Sequence, residues 1–281
     1  KKSVILWTLS VPLLLLTACG PQPKAELNVM TFNMRYDNPH DSANNWQFRR
    51  DRVARVIESQ SIDIFGAQEL LINQLNDLKG LLPGYAEVGV GRDDGAEAGE
   101  FNPVFYRADR FELLDWGTFW LSETPEQAGS KGWDGACNRL ATWTVLRDCD
   151  GRELFFINTH LDHVGETARR EGVSLLLERI ARLSAGRPVV LTGDFNAEPE
   201  SAVIAHVTES GLLLTRDAAA ECQGPAWSFS AFGRIPESER TLIDYIFVND
   251  GFETLFYAVL PDTLDGGCVS DHAPVMAKLR F

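Results

Sequence analysis

Near the end of the chain, Ser270-Asp271-His272-Ala273-Pro274 completes a set of polar side chains that begins far upstream with Asn33, Glu69, Glu100, His160, Asp194, Asn196 and Asp244. Residues of these types support two kinds of chemistry. Oxygen ligands that include one or two carboxylates suit a hard divalent cation such as Mg²⁺, the usual partner of phosphate groups. An imidazole backed by a carboxylate suits proton transfer near neutral pH, because the carboxylate fixes the tautomer and steadies the imidazolium.

All of these residues except Glu100 lie at, or within a residue or two of, the end of an apolar run that reads as a β-strand. The runs are 27–33, 62–69, 154–160, 188–196, 242–248 and the short 269–272. Strand ends from distant parts of a chain can meet at one rim. Apolar periodicity predicts helices over 46–58, with Phe48, Val53, Val56 and Ile57 on the buried face, over 70–78 and over 166–183. Strands are expected over 104–115, 142–147 and 153–161. Turns such as Cys149-Asp150-Gly151-Arg152 between them imply antiparallel hairpins rather than one continuous βαβ winding. Two central sheets covered by outer helices satisfy both signals, and no Pro- or Ser-rich break divides residues 26–281.

In order and spacing, Gly193-Asp194-Phe195-Asn196-Ala197-Glu198-Pro199, Ile243-Asp244-Tyr245-Ile246-Phe247-Val248 and Ser270 to Val275 resemble the endonuclease/exonuclease/phosphatase superfamily. Its members include DNase I, abasic-site endonucleases, inositol polyphosphate 5-phosphatases, neutral sphingomyelinases and deadenylases. The likeness covers residues 26–281. It implies an α/β fold, a four-layer α/β/β/α sandwich of two mainly antiparallel sheets flanked by helices. It also implies a hydrolase of phosphoester bonds that depends on Mg²⁺, with Mn²⁺ able to substitute.

By the same resemblance Glu69 is the main metal ligand, with Asn33 and Asp271 close by. Asp194 aligns the attacking water or protonates the leaving oxygen, and Asn196 holds a non-bridging phosphate oxygen. Asp244 orients His272, which either removes a proton from water or stabilises charge on the phosphate. Glu100 stands six residues before Tyr106-Arg107. That repeats a DNase I segment whose Glu orients the histidine matching His160, so the pairs His160–Glu100 and His272–Asp244 are expected to face one phosphate. Arg139, in Asn138-Arg139, matches a similarly placed pair in deadenylase-like members and would fork a phosphate. Taken singly, each residue also has a structural alternative: a helix-start Glu, an Asx turn, a packed histidine or a solvated arginine.

Three departures narrow the choice. Arg35 stands where DNA-repair members carry Asp, the Trp-x-Gly-Asp-Arg-Asn-Tyr stretch of inositol phosphatases is replaced by Thr192-Gly193-Asp194-Phe195-Asn196, and the long hydrophobic hairpin of secreted sphingomyelinases has no counterpart. With 26 basic and 40 acidic residues the formal charge is -14. Such a chain repels polyanions, whose non-specific binding is mostly phosphate neutralisation by Lys and Arg. A small phosphomonoester or phosphodiester is therefore the favoured substrate. A secreted nuclease is the first alternative and a non-enzymatic binding lipoprotein the second.

Lys1-Lys2, the apolar run 4–16 and Leu16-Thr17-Ala18-Cys19 form a targeting element, too short for a span of ~20 residues. The tetrad resembles a bacterial lipobox, which implies a signal peptide over 1–18, an acylated Cys19 and a tether to Ala25. A plain leader cut after Ala18 is the alternative, and either way the domain is exported. Lipidation would make it a membrane-anchored lipoprotein on the periplasmic face or cell surface, in membrane contact through the anchor alone. Of the other cysteines, Cys137 and Cys149 end one strand, ~35 to 40 Å apart and beyond disulfide reach. Cys222 with Cys268, both preceding rim segments, is the preferred pair. Zinc spacings are absent. Trp120, Trp133 and Trp227 could wall a sugar or base, or serve packing. No heptad or long apolar stripe argues for an oligomer, so a monomer is expected.

Overall fold

The computed structural model describes residues 25–281; the expected leader, Cys19 and the tether up to residue 24 lie outside the described residues. The chain runs β1 (Glu26–Asn33), α1 (Trp46–Ser59), β2 (Ile64–Gln68), α2 (Ile72–Leu81), β3 (Tyr85–Val88), β4 (Val104–Arg107) and β5 (Phe111–Trp120). It continues through β6 (Leu140–Asp148), β7 (Glu153–His160), α3 (Glu166–Leu183), β8 (Val189–Asp194), α4 (Ala202–Glu209), β9 (Leu213–Leu214), α5 (Thr215–Ala218) and β10 (Glu221–Gln223). It closes with β11 (Asp244–Val248), β12 (Glu253–Val259), the hairpin β13 (Thr263–Leu264) and β14 (Gly267–Cys268), and β15 (Val275–Arg280).

One sheet has the order β10-β12-β15-β1-β2-β4-β3 and the other β5-β6-β7-β8-β11-β9. Both are mixed: β1 with β2, β7 with β8 and β10 with β12 run parallel, and the other pairs are antiparallel. Period-two alternation along β1 shows why the sheets must be covered on both faces. Leu27 and Val29 enter the core shared with the second sheet, while Met30 and Phe32 enter a second core under α1 and α2. On the far side, Val173, Leu176 and Ile180 of α3 and Val203, Ile204 and Val207 of α4 close the second sheet. Each such fully buried side chain contributes ~1.5 to 3 kcal/mol. The result is the expected four-layer sandwich. Among the described residues, no helix is long and apolar enough to cross a membrane.

Local expectations fare unevenly. The three helices form, but Phe48 is 54% exposed while Arg49 beside it is buried. The first turn of α1 overhangs the rim, where Arg49 donates to the carbonyls of Asn44, Met34, Val269 and Arg35 at 2.6 to 3.2 Å. Four acceptors offset the cost of burying that guanidinium. The predicted strand over 104–115 is two strands in different sheets, joined by a turn at 108–110. Apolar alternation cannot see that crossover, because both halves are half-buried extended chain. Residues 269–272 form the loop entering β15 rather than a strand end. The Cys222–Cys268 pair does not form, and all four described cysteines are free thiols. Cys222 sits exposed on an edge strand with its thiol on the Arg216 carbonyl, so nearness to the rim in sequence does not bring the two sulfurs together.

Just below the rim the sheets are joined by a buried polar network. Gln68 Nε2 donates to Asn158 Oδ1 at 2.6 Å and Thr31 Oγ1 at 3.0 Å, and Thr192 Oγ1 donates to Asn158 Oδ1 at 3.2 Å. Asn158 Nδ2 donates to the carbonyls of Ala67 and Pro103 at 2.7 and 3.1 Å. Gly66 makes room for this: a Cβ there would lie 2.3 Å from Asn158 Oδ1 and 2.4 Å from Thr192 Oγ1.

Candidate active site

Each network residue stands one or two positions before a functional one: Thr31 before Asn33, Gln68 before Glu69, Asn158 before His160, Thr192 before Asp194. Parallel pairing sets β1 beside β2 and β7 beside β8, with His160 in register with Asp194. Antiparallel β11 places Asp244 opposite Asp194 from the other direction. The chain then turns sharply, with Glu69 at φ 65 and Asn196 at φ 45. Left-handed backbone at residues other than glycine costs ~1 to 3 kcal/mol and gathers where surrounding structure imposes it.

Asn33 bridges the two sheets, its Nδ2 donating to Glu69 Oε1 at 3.1 Å and to Asp194 Oδ2 at 2.9 Å. Its Oδ1 accepts from the Arg35 N–H at 3.0 Å. Asn33 therefore orders the carboxylates around it. Asp194 Oδ1 accepts from the Asn196 N–H at 2.9 Å, and Oδ2 lies 3.4 Å from His160 Nε2 and 3.8 Å from His272 Nε2. Burial, reinforced by Asp244, raises the Asp194 carboxyl to about 7. His272 Nδ1 meets Asp244 Oδ2 at 2.8 Å, as expected of that pair, and the His272 ring packs against Phe229. Burial opposes a charge on His272, but Asp244, then Asp194 and Asp271, outweigh it and raise its pKa to about 10.

The second expected pair, His160–Glu100, is absent. Glu100 instead accepts from Arg92 Nη1 at 2.6 Å, and Arg139 stands between it and the histidine, with Nη1 3.9 Å from Glu100 and 2.9 Å from His160 Nδ1. Two guanidiniums, one from the glycine-flanked loop before Glu100, out-compete a neutral imidazole for that carboxylate. Burial first, then Arg139 and Arg92, holds His160 well below the ordinary histidine range. All these groups except Asn33 and Asp244 line one cleft of about 420 Å³, together with Arg35, Tyr36, Cys137, His163 and Ile243.

Residues 30–272 match the pattern of the endonuclease/exonuclease/phosphatase family. The chain belongs to that family. Its fold superposes on an endonuclease/exonuclease/phosphatase from Bacteroides vulgatus with a TM-score of 0.89 at 43% identity, covering 91% of this chain and 99% of that one. A mannosyl-6-phosphatase of Bacteroides thetaiotaomicron matches with a TM-score of 0.86 at 38% identity, over 91% and 100% of the two chains. Nocturnin of Xenopus laevis is 31% identical over 156 residues, 51% of this chain and 37% of Nocturnin, so the match spans little more than a third of that relative. Members of the family hydrolyse phosphoesters, and this chain is a phosphoric ester hydrolase.

Two sets of side chains among the described residues have ligand atoms close enough together to hold a cation. Asp194, Asp244 and His272 have ligand atoms within 4.8 Å of one another. In that set Asp244 Oδ2 is already bonded to His272 Nδ1 at 2.8 Å and Asp194 Oδ2 to Asn33 Nδ2 at 2.9 Å, so an ion would compete with existing partners. Cys137, Asp162 and His163 are equally close, but Asp162 is committed to the backbone. Against burial, the N–H groups of Cys137, Gly165, Ala136 and Val164 hold its carboxyl at about 2. Glu69 and Asp271 fit a hard cation better. Asp271 and Glu100 are both raised, by burial first and with the Glu69 charge adding. Arg92 and Arg139 beside Glu100, and His272, Arg35 and Arg49 beside Asp271, offset part of that repulsion, and a hard cation would offset more.

Sequence reasoning missed Arg92, His163, Tyr36 and Phe229, and treated Arg35 only as a departure from relatives. Arg35 Nε bonds Asp41 at 3.0 Å and lies 3.8 Å from Asp271, with its guanidinium over the Tyr36 ring. His163 follows His160 by three residues, a spacing that local reading assigns to a solvated turn. None of Trp120, Trp133 and Trp227 lines the cleft. Trp120 Nε1 donates to the Arg92 carbonyl at 2.7 Å and so positions that loop.

Proposed function

We propose that the protein is a Mg²⁺-dependent phosphomonoesterase acting on a small phosphorylated sugar, exported and held at a membrane through lipidated Cys19. The observation that carries this reading is the gathering of Arg35, Arg92 and Arg139 in one cleft of a chain whose formal charge is -14. A terminal phosphate dianion rewards several converging guanidiniums in a closed space, whereas a nucleic acid needs cations spread along a track. The likeness to the mannosyl-6-phosphatase supports the same choice.

The phosphate would sit over His160, Asn196 and His272. His272, kept as an imidazolium by Asp244, offsets charge on the phosphate oxygens. Asp194 faces both histidines and, with its carboxyl raised to about 7, takes a proton from the attacking water. Glu69 and Asp271 would hold Mg²⁺, which supplies charge neutralisation for the phosphate when bound. Release of inorganic phosphate from mannose 6-phosphate, compared with hydrolysis of bis-p-nitrophenyl phosphate and of a single-stranded oligonucleotide, tests this. Phosphate release that stops with EDTA is expected. Preference for the oligonucleotide would favour the nuclease reading.

A further inference from the structure

Arginine has five N–H donors, no acceptor, and stays protonated in proteins. Nη1 of Arg139 lies 2.9 Å from His160 Nδ1, and Nη2 lies 3.1 Å from His163 Nδ1. Each Nδ1 must then offer a lone pair. We infer that Arg139 is a positioning residue that locks His160 as the neutral imidazole with its proton on Nε2, and holds His163 in the same tautomer.

The two other states of His160 fail on a named contact. An imidazolium sets Nδ1–H against a guanidinium N–H at 2.9 Å, like charge against like charge, with its nearest carboxylate oxygen, Asp194 Oδ2, 3.4 Å from the other ring nitrogen. The neutral Nδ1–H tautomer meets the same collision of donors. It gains only the Asn196 Nδ2 contact at 3.1 Å on Nε2, and that same Nδ2 already donates to the Leu161 carbonyl at 3.0 Å. Turning the Asn196 amide over would let its Oδ1 accept from Nε2–H at the loss of the Leu161 contact, whereas a guanidinium has no acceptor to offer in any orientation, so the arginine decides. The charged groups facing the ring are Arg139, Arg92 and His272 on the positive side and Asp194 on the negative, with His163 a further titratable neighbour and Glu100 turned onto Arg92.

The consequence is a division of labour. A carboxylate behind His160 would let it charge; a guanidinium behind it keeps it neutral, so it gives a hydrogen bond and does not carry a proton. Its Nε2–H faces the Asn196 amide at 3.1 Å and Asp194 Oδ2 at 3.4 Å, on the side of the cleft where a substrate oxygen would compete for it. The tautomer is independent of the substrate, whereas the use of that N–H rests on the phosphomonoesterase reading.

Long-range ¹H–¹⁵N spectra of histidine-labelled protein read the tautomer directly, with His160→Gln assigning its signal among the five histidines. An Nε2–H pattern that does not move from about pH 5 to 8 is expected. An Nδ1–H pattern, or titration within that window, overturns the inference in the wild-type protein, whether or not a sugar phosphate is turned over. In Arg139→Leu, His160 is expected to titrate in that window, and kcat to fall roughly tenfold or more with a new acidic limb in its pH profile. Arg139→Lys restores one cationic donor and is expected to recover part of the loss. A raised KM with an unchanged spectrum and profile in Arg139→Leu would make Arg139 a phosphate ligand only, against the inference.

Discussion

Two buried histidines face one cleft in opposite charge states, and the stability of the metal-free protein should record both. The pKa of His272 is raised to about 10 in the folded state. Its stabilising effect is fully present below its unfolded value of ~6.5 and is lost as pH climbs towards 10. His160 is shifted the other way. Below ~6.5 the unfolded chain takes up a proton that the folded chain refuses, so stability falls with acid. Urea titrations across pH are expected to show His272→Gln with a flatter alkaline side and His160→Gln with a flatter acidic side. Asp194 should impose a rise in kcat/KM through about pH 7, and Asp194→Asn should remove that rise and ~10² to 10⁴ of the rate. The carboxylates, amides and histidines were legible as a site because they cluster at strand ends. The partner of Glu100 was not. His160 is 60 residues away and Arg92 only eight, and sequence spacing says nothing about which cation wins a buried carboxylate.

Among the elements, the joint between the sheets carries the site. Thr31, Gln68, Asn158 and Thr192 are all fully buried and sit immediately upstream of the functional residues. Asn158→Leu would strip the side-chain donor from the Ala67 carbonyl, while the Pro103 carbonyl would keep only the Ala67 N–H at 3.1 Å. Each orphaned buried group costs ~1 to 3 kcal/mol. A matching loss in urea-derived stability is expected, with activity falling further than the unfolded fraction alone explains because Glu69, His160 and Asp194 ride on the same joint. Gly66→Ala drives a methyl to 2.3 Å from Asn158 Oδ1 and should cost ~1 to 3 kcal/mol by overpacking. Wild-type stability in either variant would show the joint to be slack. Strands and helices were legible from periodicity. Their allocation to one sheet or the other was not, as the divided run 104–115 shows, since both sheets share one apolar core.

For the whole molecule, charge is arranged by depth. An acidic exterior discourages polyanions, while the three guanidiniums within the cleft draw a small dianion inward. Hydrolysis of a sugar phosphate should therefore depend weakly on salt, whereas nucleic-acid binding through several phosphates would weaken steeply. Net charge was legible from composition; the gathering of Arg35, Arg92 and Arg139 beside Glu69, Glu100, Asp194 and Asp271 in one cleft was not, because these residues lie far apart in sequence and only the fold collects them.

The most direct test of that arrangement is the ratio of kcat/KM for a sugar monoester to that for a small diester, measured with Mg²⁺ in the wild type and in Arg92→Ala. A monoester preference of roughly tenfold or more is expected in the wild type, falling by about as much in the variant, since a hydrogen bond to a charged group is worth ~1.5 to 3 kcal/mol. A wild-type ratio at or below one, unchanged by Arg92→Ala, would contradict the assignment of this cleft to a phosphomonoester.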